Sequence, residues 1–196
     1  MRSLTTFAAF IALGVSAFAT PPTPRPAKEF DFVTPSGQHI LLSSLKGKVV
    51  IVQGLLTTCP HCQAYSQLLT KMQTEYGARG FQAMGIAYDV DANTAQSYVN
   101  TYHVGFPVGY STRDAMLGLL GHSVLERLTV PQIMIIDRKG VIQTQSAAEG
   151  TPELQQEQNV RQWIEKLLGP ATSKAAPTSS KTVAPKKAAA TTAANQ

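Results

Sequence analysis

Cys59-Pro60-His61-Cys62 joins two segments of opposite character. Before it, Val49-Val50-Ile51-Val52 is an unbroken apolar run of the kind that fills a strand buried on both faces. After it, Gln63 to Tyr76 carries helical spacing as far as Gly77. A chain that passes from a buried strand into a helix through so short a turn puts both at one edge of a sheet. Few architectures allow this, and most alternate strands with helices. The turn also holds the only two cysteines of the chain, two residues apart. The helix N-terminus favours thiolate over thiol at Cys59, and a thiolate is what attacks a disulfide. A permanent Cys59–Cys62 bond would be a poor staple, because so small a ring removes little entropy from the unfolded chain. The pair therefore points to thiol–disulfide chemistry.

The ends of the chain set the compartment. Arg2, the apolar run Phe7 to Val15 and the small-x-small triplet Ala17-Phe18-Ala19 have the form of a secretory signal, with cleavage predicted after Ala19. The run is short of the roughly 20 residues that span a bilayer, and no cysteine stands near the cleavage site to carry a lipid anchor. The expectation is an exported protein, periplasmic or otherwise extracytoplasmic, where disulfides persist. Residues 20–28 read as a linker, 29–169 as one domain, and 170–196 as a disordered tail. From Ala171 to Gln196 the chain has no aromatic and no acidic residue, too little to offset its ordering entropy.

The net charge of +5 lies at the ends. Arg2 sits in the signal and Lys174, Lys181, Lys186 and Lys187 in the tail, so the domain's basic residues only balance the 12 Asp and Glu. That balance gives no support for nucleic-acid binding; the tail reads as a solubilising appendage, with weak attachment to an anionic envelope surface through its lysines as the alternative. No phosphate-binding glycine motif or nucleotide fingerprint is present.

Within the domain, Phe30-Asp31-Phe32 and Ile40-Leu41-Leu42 are predicted strands around a Pro35-Ser36-Gly37 turn. The strand Lys48 to Gln53 leads to the dithiol. Phe81 to Tyr88 is a strand, and Asp91 to Tyr102 a helix capped by Asp91 or Asn93. Phe106-Pro107-Val108 begins another strand, and Arg113 to Leu120 is a helix stopped by Gly121. Ile133 to Asp137 and Val141 to Gln145 form a hairpin. A last helix opens near Pro152 and closes before Gly169, with Leu154, Val160, Trp163, Ile164, Leu167 and Leu168 as its apolar face. Trp163, the only tryptophan, is expected in the core. This order predicts an α/β sandwich with a mixed central sheet and helices on both faces.

With the dithiol in place, the order resembles the thioredoxin superfamily, and within it the exported TlpA/ResA-like branch. The resemblance covers roughly residues 29–168. It rests on Leu45-Lys46-Gly47-Lys48-Val49-Val50-Ile51-Val52, the element Phe81 to Asp91, Phe106-Pro107-Val108, and Val130-Pro131-Gln132 ahead of Ile133-Met134-Ile135-Ile136-Asp137 and Gly140. It implies a thiol:disulfide oxidoreductase that needs no metal or organic cofactor, because the cysteine pair carries the two electrons. Its partners would be protein thiols and disulfides, with a membrane redox partner. Cys59 would be the exposed nucleophile and Cys62 the buried resolving thiol. Pro131 would be a cis proline beside the dithiol, and Val130 would offer backbone groups to an extended substrate. Pro60-His61 matches the pair between the cysteines of DsbA-like oxidants, where His61 would favour the Cys59 thiolate and make the disulfide more oxidising.

Three departures qualify the resemblance. Gln53 and Tyr65 stand where reductants of the branch carry buried carboxylates, and Thr58 replaces the usual tryptophan. The alternatives are a reductant for cytochrome c maturation, a copper-binding chaperone using Cys59, Cys62 and a histidine, and a redox-inert binding domain. A peroxidase of the peroxiredoxin type is disfavoured by Leu56, three residues before Cys59, where that family has threonine. His39, His103 and His122 are read as surface or satisfied core residues. Glu149-Gly150 would border the site, and Gly54 would allow close packing at the strand's end.

Overall fold

The computed structural model describes residues 20–88 and 90–170. The secretory signal predicted over 1–19 and the tail predicted over 171–196 lie outside them. Eight strands form one sheet: β1 (Arg25–Pro26), β2 (Asp31–Val33), β3 (His39–Leu41), β4 (Val49–Leu55), β5 (Phe81–Tyr88), β6 (Val108–Ser111), β7 (Gln132–Ile136) and β8 (Val141–Gln145). Their order is β1-β8-β7-β4-β5-β6-β2-β3. β4, β5 and β6 are parallel, and β7 runs antiparallel to β4, so the sheet is mixed as predicted. The helices are α1 (Pro60–Tyr76), α2 (Ala92–Thr101), α3 (Arg113–Leu120) and α4 (Glu157–Leu168).

Side-chain alternation along β4 divides the core in two. Val49, Ile51 and Leu55 face α1, α2 and α4, packing with Leu69, Met72, Tyr98, Val160 and Ile164. Val50 and Val52 face the opposite side and pack with Met116, Leu119 and Leu120 of α3. Helices therefore cover both faces, and every residue of β4 is buried. This two-sided burial is the reason the run Val49 to Val52 is apolar. It also places Gln53 beneath α1 and Gly54 beneath α3. A Cβ on Gly54 would lie 1.5 Å from Met116 Cε, so the predicted close packing is made by that methionine.

Three sequence expectations differ from the structure. The linker expected over 20–28 is docked over part of its length. Arg25 and Pro26 pair with Ile142 and Val141, and the Arg25 guanidinium donates to the Leu120 carbonyl at 2.6 Å and to Gln145 Oε1 at 2.7 Å. A two-residue strand with an internal proline carries no periodic signal. The last helix is broken in two. Pro152–Gln155 is a 3-10 turn that buries Leu154, and extended Gln156 (ψ 128°) separates it from α4. Val160, Ile164 and Leu168 repeat every four residues, and Leu154 is out of phase with them. Trp163 is half-buried, packing on the edge of the core with Lys166 Nζ 4.6 Å from its ring centre.

Candidate active site

Parallel β4 and β5 end at one edge of the sheet, and the chain turns there through Thr57-Thr58 into α1. Cys59 is the N-cap of α1 with extended backbone (φ −84°, ψ 116°), and Pro60 takes the first helical position, where its missing N–H costs nothing. The Cys62 amide donates to Cys59 Sγ at 3.3 Å. Sulfur here replaces the oxygen of an ordinary serine or aspartate cap. An anionic sulfur accepts such a bond better than a thiol does, and the sulfur stands at the positive end of the helix dipole. Cys59 is half-buried, Cys62 is fully buried, and both are free thiols.

Val130, ahead of β7, closes the other side. Its carbonyl accepts a long hydrogen bond from Cys59 Sγ at 3.8 Å, and the Val130–Pro131 bond is cis, as the resemblance implied. The loop leading to it is tied to α3, since the Arg113 guanidinium donates to the carbonyls of Val124 and Glu126. The loop exposes Leu125 (81%) beside Val124. On its other flank Thr129 N donates to the Ala148 carbonyl, and the open side of Gly150 faces the Thr129 side chain, so the Glu149-Gly150 loop borders the Val130 segment.

Beneath the dithiol lies a buried polar cluster that the sequence pattern did not reveal. Gln53 Nε2 donates to the Cys62 carbonyl at 2.8 Å, and Gln53 Oε1 accepts from Ser66 Oγ at 2.8 Å. Ser66 Oγ lies 2.7 Å from the Tyr98 hydroxyl, which donates to the Cys62 carbonyl at 3.2 Å. Ser66 one turn beyond Cys62 was the available signal; Tyr98 comes from α2 and had none. Burial pushes the Cys62 thiol up, and its hydrogen bond to Cys59 adds to the push. Cys62 therefore holds its proton while Cys59 carries the accessible sulfur.

The two positions expected to carry carboxylates behave differently from each other. Gln53 touches Cys62 through its carbonyl. The Tyr65 hydroxyl has no hydrogen-bond partner among the described residues, and burial pushes it up. Neither is a base near neutral pH. His61 is exposed, and among the described residues the hydrogen bonds of Cys59 Sγ are made with Cys62 and Val130 rather than His61. His39 pairs with Asp31 at 2.6 Å on the surface, and His122 is buried with Nδ1 2.7 Å from Glu126 Oε2. Among the described residues no group of three or more His, Cys, Asp and Glu is placed to hold a metal, so a copper ion would have the two cysteines alone. A cavity of about 190 Å³ under Leu42, Leu45, Val50 and Ile136 opens at the start of β4, the end of the sheet away from the dithiol.

A solvent-reachable thiol capped by a helix amide, with a second thiol buried one turn on, in a thioredoxin-like fold, defines a thiol:disulfide oxidoreductase. The chain belongs to the Redoxin family, which it matches over residues 23–164. It is 26% identical over 129 residues to the thiol-disulfide oxidoreductase ResA of Bacillus thuringiensis, covering 66% of this chain and 72% of that protein. It is 28% identical over 160 residues to the thiol:disulfide interchange protein DsbE of Yersinia pestis, covering 82% and 72%. Its fold is similar to that of a thiol:disulfide interchange protein of the thioredoxin family from Chlorobium tepidum (TM-score 0.60, 25% identity, 76% of this chain and 99% of that one).

Proposed function

We propose that the protein exchanges disulfides with exported polypeptides through Cys59, with Cys62 resolving the mixed disulfide. The observation that carries this reading is the division of labour between the sulfurs. Cys59 is reachable and held by the Cys62 amide, while Cys62 is buried and protonated. The Cys59 thiolate attacks one sulfur of a substrate disulfide, and the other leaves as a thiolate that takes up a proton. Cys62 then loses its proton and attacks Cys59 Sγ. The substrate's second thiolate departs and is protonated. The substrate has gained two electrons, and the protein holds a Cys59–Cys62 disulfide. The reverse sequence donates that disulfide to a dithiol. Val130 and Pro131 flank the attack line, where an extended peptide can lie against the Val130 backbone. The cysteine pair is the whole redox centre, with no further cofactor.

The setting follows the secretory signal read in residues 1–19 and the exported character of the branch. The substrates are proteins of an extracytoplasmic compartment, the periplasm or its equivalent, with a membrane redox partner renewing the pair. Lys174, Lys181, Lys186 and Lys187 would suit contact with an anionic envelope surface. The names ResA and DsbE borne by relatives keep a second reading in view, a reductant serving cytochrome c maturation.

Single substitutions test the roles. Cys59→Ala abolishes exchange with a scrambled or reduced substrate. Cys62→Ala accumulates a mixed disulfide, seen as an adduct by non-reducing electrophoresis and mass spectrometry. Equal and complete loss in both variants, with no adduct, would overturn the assignment.

A further inference from the structure

Cys62 has to become a nucleophile in a place that opposes it. It is fully buried, and burial holds its thiol protonated. Among the described residues no carboxylate stands in the cluster beneath it to take the proton. The groups there are Gln53, Ser66 and Tyr98, all neutral and all hydrogen-bonded to one another or to the Cys62 carbonyl.

Proton counting separates their tasks. One N–H of Gln53 Nε2 is committed to the Cys62 carbonyl at 2.8 Å. Ser66 has one hydroxyl proton, donated to Gln53 Oε1 at 2.8 Å. The Tyr98 proton is left with two acceptors, Ser66 Oγ at 2.7 Å and the Cys62 carbonyl at 3.2 Å. The Tyr98 hydroxyl is thus a second side-chain donor to the Cys62 carbonyl, beside Gln53 Nε2, and the one whose single proton is divided between that carbonyl and Ser66. The carbonyl oxygen and Sγ belong to one residue, and covalent geometry keeps them within a few ångström. A carbonyl oxygen repels a thiolate forming beside it, and each donor covering that oxygen, Tyr98 in addition to Gln53, weakens the repulsion.

We propose that Tyr98 is a positioning residue for disulfide exchange, its hydroxyl donating to the Cys62 carbonyl and steadying the Cys62 thiolate as it resolves a mixed disulfide. Tyr98 touches no substrate and acts through Cys62, and the inference rests on the exchange reading given above. Burial pushes the Tyr98 hydroxyl up to about 12, so it keeps its proton at neutral pH and serves as donor rather than base. The Cys62 proton leaves for solvent or for the departing substrate thiolate. One sulfur–sulfur bond breaks as the Cys59–Cys62 bond forms. The ring is fixed for this task, buried at 3% exposure with its centre 5.0 Å from that of Tyr102.

Ellman's reagent is a suitable probe, because it reports the two sulfurs in sequence. The reduced protein releases one nitrothiobenzoate when Cys59 attacks, and a second when Cys62 displaces the group left on Cys59. Tyr98→Phe keeps the ring and removes the donor. The expected result is a first phase equal to wild type and a second phase slowed about threefold to tenfold, the worth of one hydrogen bond. The pH–rate profile of the second phase moves to higher pH. Ser66→Ala changes the second phase too, and the double variant falls short of the product of the single effects, since the residues act as a unit. A second phase of unchanged rate and pH profile in Tyr98→Phe, or equal slowing of both phases, would overturn the inference while leaving exchange intact. A wild-type protein with no second phase would overturn the exchange reading itself and this inference with it.

Discussion

Replacing Gln53 with glutamate changes the charge of one buried group and almost nothing of its shape. Gln53 is fully buried, donates to the Cys62 carbonyl at 2.8 Å and accepts from Ser66 at 2.8 Å. In Gln53→Glu the protonated carboxyl makes both bonds, its O–H replacing the amide N–H. The ionised carboxylate makes only one and sets a bare oxygen against the Cys62 carbonyl. The native state of the variant therefore holds its proton more tightly than the unfolded chain, in which a glutamate titrates near about 4.3. Burial of this degree raises a carboxyl by about 3 units or more. At about 1.4 kcal/mol per unit, the variant loses about 4 kcal/mol relative to wild type, a large part of the roughly 5–15 kcal/mol of an ordinary domain. The sign follows from proton binding. The native state binds more protons, so the variant's relative stability falls as pH rises from about 4.3 to about 7.3 and is level outside that window. Urea unfolding of both proteins from about pH 4 to about pH 8.5 measures the difference, with near-equal stability at the acid end and the full deficit at the alkaline end. Parallel profiles, or a deficit that grows on acidification, would refute the argument that Gln53 is there to supply a proton to the Cys62 carbonyl.

Gly54→Ala puts a methyl 1.5 Å from Met116 Cε and 3.3 Å from Gln132 Cβ. The methionine tip must move within a packed core, and chemical denaturation should show a loss of about 1–3 kcal/mol. Arg161 donates to both Glu75 and Glu157, and hydrogen bonding to it is the largest cause lowering Glu75, with Lys71 ahead of it at Glu157. Carboxylates held down in this way stabilise the fold above their unfolded value of 4.5 and lose that contribution as pH falls through their lowered folded values. Arg161→Ala should therefore flatten the acid limb of the Tm–pH curve below about pH 4.5, where the lost contribution would have been titrated away.

What was legible in the sequence was what lies along the chain. The apolar run of β4, the proline after Cys59, the Asp91 cap and the Gly121 stop each act within a few residues, and each element they mark is present. The dithiol's exposed and buried halves followed from its place on the first helical turn. The cluster under Cys62 was not legible, because it is assembled from β4, α1 and α2, and only the sheet order brings Tyr98 to within 3.2 Å of Cys62. Tyr65 shows the same limit from the other side. Sequence position matched it to a carboxylate of the site, yet its hydroxyl reaches no partner among the described residues. β1 escaped for a different reason, since its pairing is created by β8 and by the Arg25 bonds to Leu120 and Gln145.

The direction of exchange turns on which reduced sulfur the protein favours most. Two features bear on Cys59 Sγ: it accepts from the Cys62 amide at 3.3 Å, and His61 follows it in the first turn of α1. They differ in how water treats them. The amide is part of the helix and is present at any ionic strength, whereas His61 is exposed, so any charge it carries would be screened. Two unit charges about 4 Å apart in water interact by about 1 kcal/mol, which a two-electron couple registers as about 20 mV. With neutral Gln53 below Cys62 and no carboxylate beside it among the described residues, the wild-type potential is expected above the roughly −270 mV of thioredoxin. His61→Ala should lower it by about 20 mV at low salt. The gap should close in about 1 M salt, where the screening length falls to about 3 Å. Equilibration with glutathione buffers at both ionic strengths measures this. No shift at low salt would leave the poise to the helix amide alone. A wild-type potential at or below that of thioredoxin would make the cytochrome-maturation reductant the better reading, because a dithiol that gives up its electrons so readily serves to reduce its partners.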